Sequence, residues 1–262
     1  MTVLLQPVSG NMRVQRYGSR AEMGRSAAAD IATAIRACQA RHPGAVRMIF
    51  AAAPSQQETL LALAAESGID WHRVTAFHMD EYVGLPADAP QRFGNWLQRE
   101  LFSRLPFGKV HLLDPGTTDA AMTAATTHYE ALLAEAPIDI VCMGIGVNGH
   151  LAFNDPPVAD FNDSRGVKIV ELDQVCRQQQ VDEACFARLE EVPARAITLT
   201  IPRLLACAEI FCVVPGAAKR KAVRSTLYDT ISTATPATIL RRHPACTLYL
   251  DADSAPENMT PT

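Results

Sequence analysis

No apolar run in this chain approaches the roughly 20 residues needed to span a bilayer, which argues against a membrane-embedded protein. A basic excess is also missing. The 24 Lys and Arg are outnumbered by 28 Asp and Glu, giving a formal net charge of −4 and a pI near 6.0. Without a basic footprint, nucleic acid and anionic membrane surfaces are not the expected partners. The first residues hold only a short apolar stretch and lack a basic start, so a secretory signal is not expected. The seven cysteines, Cys38, Cys142, Cys176, Cys185, Cys207, Cys212 and Cys246, are odd in number and show no C-x-x-C spacing. Most lie in apolar runs and read as small buried hydrophobes, which argues against a disulfide framework or zinc site and for a cytoplasmic setting. Internal repeats, low-complexity tracts and linker-like shifts of composition are absent, so residues 1–262 read as a single domain.

What is present is an ordinary globular composition, 48% hydrophobic and 20% charged. That is enough for a sizeable core. Short apolar runs alternate with helical patterns. Residues 1–17 allow an edge strand and a loop. Met23, Ala27, Ile31 and Ile35 mark a helix over 19–38, broken by Pro43-Gly44. Strands are expected at 46–50, 74–79, 109–113, 138–143, 167–170, 196–200, 210–214 and 247–250. Helices are expected near 93–104, 120–136, within 173–188, at 203–207 and after Gly216. Ser55 is placed to cap a helix carrying Leu60, Leu61 and Leu63, with Glu58 completing a capping box. The polar stretch 80–86 reads as a turn. Strands alternating with helices predict an α/β fold, a mainly parallel sheet covered by helices on both faces.

The strand at 138–143 runs into Gly144-Ile145-Gly146-Val147-Asn148-Gly149, which fits G-x-G-x-x-G, and Glu171 lies 22 residues beyond. A dinucleotide fingerprint should open a helix, whose N-terminus holds the pyrophosphate. Here His150-Leu151-Ala152-Phe153-Asn154-Asp155 leads straight into Pro156-Pro157, so the cofactor reading is disfavoured. Asn148, His150 and Asp155 can converge across a tight turn instead. A histidine held by a carboxylate suits proton transfer near neutral pH; a structural histidine among ordinary turn residues is the plain alternative. Asp80 and Glu81 follow another strand end. In a parallel sheet both ends lie on one side, so Asp80 and His150 can share a crevice. Solvation of a loop is the plain alternative for either acid.

At these segments the chain resembles the glucosamine-6-phosphate deaminase family, within a superfamily that includes 6-phosphogluconolactonases. The matching stretches are Met79-Asp80-Glu81-Tyr82-Val83-Gly84-Leu85 and Gly144 through Pro156, and the resemblance extends thinly over about 20–252. It implies a three-layer open α/β sandwich of Rossmann-like topology. It implies conversion of an amino sugar 6-phosphate to a ketose 6-phosphate and ammonia, with no metal or redox cofactor. By position, Asp80 is the base for the C2 proton and His150 opens the sugar ring. Asp155 replaces a glutamate that orients the histidine, one methylene shorter and so in need of backbone movement or a water. Asn148 orients His150 or binds substrate.

The resemblance thins at the phosphate pocket. Ala52-Ala53-Pro54-Ser55-Gln56 replaces a glycine-rich loop, leaving Ala53 and Ser55 as the binding positions there. Pro54 removes an N–H donor. Gly146 is expected to let backbone approach the sugar, and Lys219 matches a phosphate-binding lysine. A further phosphate-site arginine of the family falls near Asp182, and whether the nearby Arg177 substitutes for it is left open by the sequence. The basic residues of an allosteric site are not recognisable at 160–168. A lactonase-like hydrolase using His150 to activate water, and a catalytically idle sugar-phosphate-binding protein, are the alternatives. The resemblance leaves a homo-oligomer open.

Overall fold

A computed structural model of the chain describes residues 3–5, 10–257 and 259. The strands are β1 (Val3–Leu5), β2 (Arg13–Arg16), β3 (Val46–Phe50), β4 (Val74–His78), β5 (Asp80–Tyr82), β6 (Lys109–His111), β7 (Ile138–Met143), β8 (Val167–Glu171), β9 (Arg195–Leu199), β10 (Cys207–Val214) and β11 (Cys246–Leu250). The α-helices are α1 (Arg20–Arg41), α2 (Gln57–Ala64), α3 (Phe93–Leu97), α4 (Asp119–Ala134), α5 (Gln174–Asp182), α6 (Ile201–Leu205) and α7 (Arg220–Tyr228).

Eight strands form one sheet in the order β1-β2-β11-β10-β7-β3-β4-β6, parallel throughout except where β1 meets β2. The central strands are buried on both faces, and their side chains alternate between two cores. Ile49, Phe77 and Val141 join Tyr129 of α4, Leu204 of α6 and Val223 of α7 in one core. Met48, Phe50, Ile140 and Cys142 join Ile31 and Ile35 of α1 and Leu60 and Leu63 of α2 in the other. Each such fully buried large side chain contributes roughly 1.5–3 kcal/mol. The result is three layers with a mainly parallel sheet between helices, the expected α/β sandwich. No helix among the described residues is long and apolar enough to cross a membrane.

A second sheet, β5-β9-β8, is antiparallel and sits over a smaller core containing Tyr82, Phe153 and Cys176. It corrects the reading of 80–86 as a polar turn, because Asp80, Glu81 and Tyr82 form a buried strand. Ser55 is corrected too. It lies inside a 3-10 turn, Pro54–Gln56, and α2 starts after it without a side-chain cap. Glu58 instead reaches back to Arg20 of α1. Cys207 starts β10 rather than ending a helix, since Thr200 caps α6 earlier and Pro202 occupies its first turn.

Candidate active site

The strand order places β10, β7, β3 and β4 side by side, and the segments leaving their C-terminal ends meet above the sheet. This is where an open α/β sheet offers a crevice. The crevice is an open cavity of about 590 Å³, part of it continuous with solvent, and Ala53, Ser55, Asp80, Gly146, His150 and Lys219 all line it. Asn148 and Asp155 belong to the same turn but do not line the cavity; they hold His150 through hydrogen bonds.

That turn is built by its glycines. Gly146 N–H donates to the His150 carbonyl at 3.0 Å, and Gly149 N–H donates to the Gly146 carbonyl at 2.9 Å. Gly149 has φ +84°, which an L side chain rarely adopts. A Cβ on Gly146 would lie 2.2 Å from the His150 ring, so the bare Cα is what lets the imidazole lie flat against this backbone. No helix follows: Leu151 and Asn154 form an isolated bridge. The turn therefore lacks the helix N-terminus that a pyrophosphate would need.

His150 Nδ1 is 2.9 Å from Asp155 Oδ1. The same oxygen accepts from Asn148 Nδ2 at 2.8 Å, and Asn148 Oδ1 accepts the His150 backbone N–H at 3.0 Å. Burial by itself would raise the Asp155 carboxyl. The hydrogen bond and charge of His150, with Asn148's hydrogen bond, hold it below its ordinary value. An ionised Asp155 can only accept, so Nδ1 carries the proton and Nε2 the lone pair. The shorter aspartate arm therefore reaches the imidazole directly.

Asp80 is buried, and burial raises its carboxyl well above the ordinary value, reinforced by the charges of Glu81 and Asp155. Among the described residues no hydrogen bond reaches its side-chain oxygens. Its carbonyl accepts from His78 Nδ1 at 2.9 Å, while His78 Nε2 accepts the Leu113 N–H at 2.7 Å. His78 is thus fixed as a neutral tautomer, its pKa lowered by burial to about 4. Glu81 does not solvate a loop. Its carboxylate accepts the N–H groups of Tyr82, Phe93 and Gly94 at 2.9, 3.0 and 2.9 Å, which fastens β5 to the start of α3.

The loop after β3 closes onto β10 through Gln56, whose Nε2 donates to the Val213 carbonyl and to Ser55 Oγ, both at 3.1 Å. Lys219 is buried and bonds Glu183 at 3.0 Å. Glu183 Oε1 also accepts from Gln179 Nε2 at 2.8 Å, and Gln179 Oε1 accepts the Val147 N–H at 2.9 Å. Gln179, Gln180 and Glu183 line the cavity, and no local pattern in the sequence marks them. Arg177, whose role the sequence left open, does not line the cavity. Its guanidinium is spent on the carbonyls of Leu189 and Val192.

The donors nearest to a metal set are His150, Asp155 and Cys176, with ligand atoms within 4.8 Å of one another. His150 and Asp155 already share a proton, and burial pushes the Cys176 thiol up, followed by the charge of Asp155. The trio is arranged as a hydrogen-bonding cluster around the imidazole. Arg195 holds the exposed Glu171 at 3.6 Å, on the rim of the second sheet.

Comparison with known proteins accords with this geometry. The family model described as glucosamine-6-phosphate isomerases/6-phosphogluconolactonase matches residues 18–249. A glucosamine-6-phosphate deaminase of Listeria innocua is 34% identical over 212 residues, covering 81% of this chain and 88% of its own. The solved structure of a monomeric glucosamine-6-phosphate deaminase superposes with a TM-score of 0.82 at 26% identity, covering 92% of this chain and 98% of its own. A 6-phosphogluconolactonase from Thermotoga maritima shares the fold, with a TM-score of 0.74 at 19% identity over 92% and 99% of the two chains. From its matched length and its identity to these relatives, the chain belongs to the glucosamine-6-phosphate isomerase/6-phosphogluconolactonase family.

Proposed function

We propose that this protein is an aldose–ketose isomerase-deaminase. It converts glucosamine 6-phosphate, or a related amino sugar phosphate, to the ketose 6-phosphate and ammonia. One observation carries the reading: a carboxylate of raised basicity, Asp80, faces the same cavity as an imidazole oriented by Asp155. The family and the deaminase relatives support it.

In this reading His150 Nε2 exchanges a proton with the ring oxygen and opens the pyranose. Asp80 then removes the C2 proton. The C2–H electron pair moves toward the C1 carbonyl, which gains a proton to give the enolamine. Return of a proton to C1 leaves an imine at C2. Water adds to that imine, and ammonia departs. The carbonyl and amine supply the electronic path, and the acid/base pair contributes on the order of 10²–10⁴-fold for each positioned proton transfer. Asn148, already bonded on both sides, orients the imidazole. Ala53, Ser55, Gly146 and Lys219 hold the rest of the sugar. The chain acts as one functional unit, because the strands that build the site are neighbours in a single sheet. Seven unpaired thiols support a reducing, cytoplasmic setting.

The test is incubation with glucosamine 6-phosphate in D2O, following ammonia and deuterium at C1. Ammonia release accompanied by deuterium at C1, both lost in Asp80→Asn, is the expected result. Hydrolysis of a phosphogluconolactone with no amino sugar turnover would overturn it. That outcome would instead assign His150 to water activation and leave Asp80 dispensable.

A further inference from the structure

The cavity has a charged end that the proton-transfer chemistry does not use. Lys219 follows β10 and Asp80 follows β4, three strand spacings away, about 14 Å across the sheet. Lys219 and the base therefore enter the cavity from the ends of different, non-adjacent strands. Among the described residues that line the cavity, Lys219 is the one Lys or Arg side chain. Glu183 neutralises it at 3.0 Å, and the pair is largely withdrawn from water.

Glu183 is not a passing neighbour. Its Oε1 accepts from both Lys219 and Gln179, and Gln179 in turn accepts the Val147 N–H of the catalytic turn. The carboxylate is thus built into the scaffold that carries His150. Among the described residues lining the cavity no second Lys or Arg restores a positive balance, and Arg99, which lines the adjoining cavity beside Glu183, is paired with Glu100 at 2.9 Å. Arg177 is turned onto carbonyls, and Pro54 offers no N–H to the cavity. A sugar phosphate carries about 1.5 to 2 negative charges at neutral pH. It must either break the Lys219–Glu183 pair and leave the carboxylate unshielded, or share Lys219 with Glu183 at short range in a partly dry site, where like charges repel strongly. A neutral hydroxyl meets neither obstacle. It can donate to Glu183 and accept from Lys219 with the pair intact.

We propose that Glu183 is a specificity-determining residue that offsets Lys219, so that this pocket takes an amino sugar with an uncharged C6 hydroxyl nearly as well as, or better than, its 6-phosphate. The inference rests on the isomerase-deaminase reading for the chemistry and extends it to the class of substrate.

Ammonia release from glucosamine and from glucosamine 6-phosphate, compared as kcat/KM, tests it. In the wild type the ratio of phosphorylated to free sugar is expected below ten. In Glu183→Gln, which keeps an acceptor for Lys219 and Gln179 but removes the charge, the ratio rises at least tenfold through a lower KM for the phosphorylated sugar. A wild-type ratio above ten, or one that Glu183→Gln leaves unchanged, overturns the proposal. Calorimetric titration with inorganic phosphate decides it without turnover. At least tenfold tighter binding to Glu183→Gln supports it, and equal affinity overturns it. Failure of both sugars to release ammonia would sink the proposed reaction, and the phosphate titration would still decide the role of Glu183.

Discussion

Asp155 shows how much a single carboxylate can determine. Its Oδ1 takes hydrogen bonds from His150 and Asn148 at once, fixing the imidazole tautomer and the rotation of the ring. Asp155→Ala removes the acceptor from both. His150 then loses its preference for the Nδ1–H tautomer and the bond that fixes the rotation of its ring. We expect kcat to fall on the order of 10²-fold, with KM changed less. Asp155→Asn keeps the size but can present its amide to Nδ1, so its kcat should fall as well. An unchanged rate and pH profile in Asp155→Ala would refute this positioning role. This pairing was legible in the sequence, because His150 and Asp155 lie in one short turn and converge locally. The Lys219–Glu183 pair was not. Its members are 36 residues apart and meet only when α5 folds over the end of β10.

At the scale of the element, the glycine turn is shaped by what it cannot carry. A Cβ at Gly146 would fall 2.2 Å from His150 Cε1 and Nε2, the reactive edge of the ring. The imidazole is tied at Nδ1 and cannot retreat without giving up Asp155. Gly146→Ala should therefore leave the protein folded while lowering kcat on the order of 10²-fold, since small misplacements of catalytic groups carry costs of that size. The check is activity together with the His150 imidazole resonances by NMR. Full activity with unshifted resonances would mean the ring does not rest where the geometry puts it. The strand before this turn and the lack of a helix after it were both readable, from an apolar run and from Pro156-Pro157. The strand β5 was hidden because Asp80 and Glu81 resemble loop residues. Glu81 is tolerated inside only because the N–H groups of Phe93 and Gly94, 12 and 13 residues on, satisfy it.

At the scale of the molecule, alternation of strands and helices revealed the parallel sandwich, but the strand order lay beyond local patterns. It is fixed by contacts such as those of His78, which ties three parts of the chain together. Its Nδ1–H binds the Asp80 carbonyl in the second sheet, its Nε2 accepts the Leu113 N–H beyond β6, and its backbone N–H donates to Tyr129 Oη of α4. Such a junction has an acid weakness. Burial, opposed by the Asp80 carbonyl bond and aided by the charge of Arg92, lowers the His78 pKa from 6.5 to about 4. The unfolded chain takes up this proton more readily than the folded one. The stability is therefore fully present above pH 6.5 and lost as pH falls toward 4. Over that window the loss is about 3 kcal/mol. Asp155, held low, adds to acid sensitivity, whereas Asp80 and Glu81, held high, oppose it, so the wild-type curve alone does not isolate the histidine. Comparison with His78→Gln does. Urea unfolding at a series of pH values from 7 to 4 should show the wild type losing about 3 kcal/mol more than the variant, even though the variant starts lower at pH 7 from imperfect hydrogen bonds. Parallel curves would mean that His78 does not titrate in the unfolding reaction.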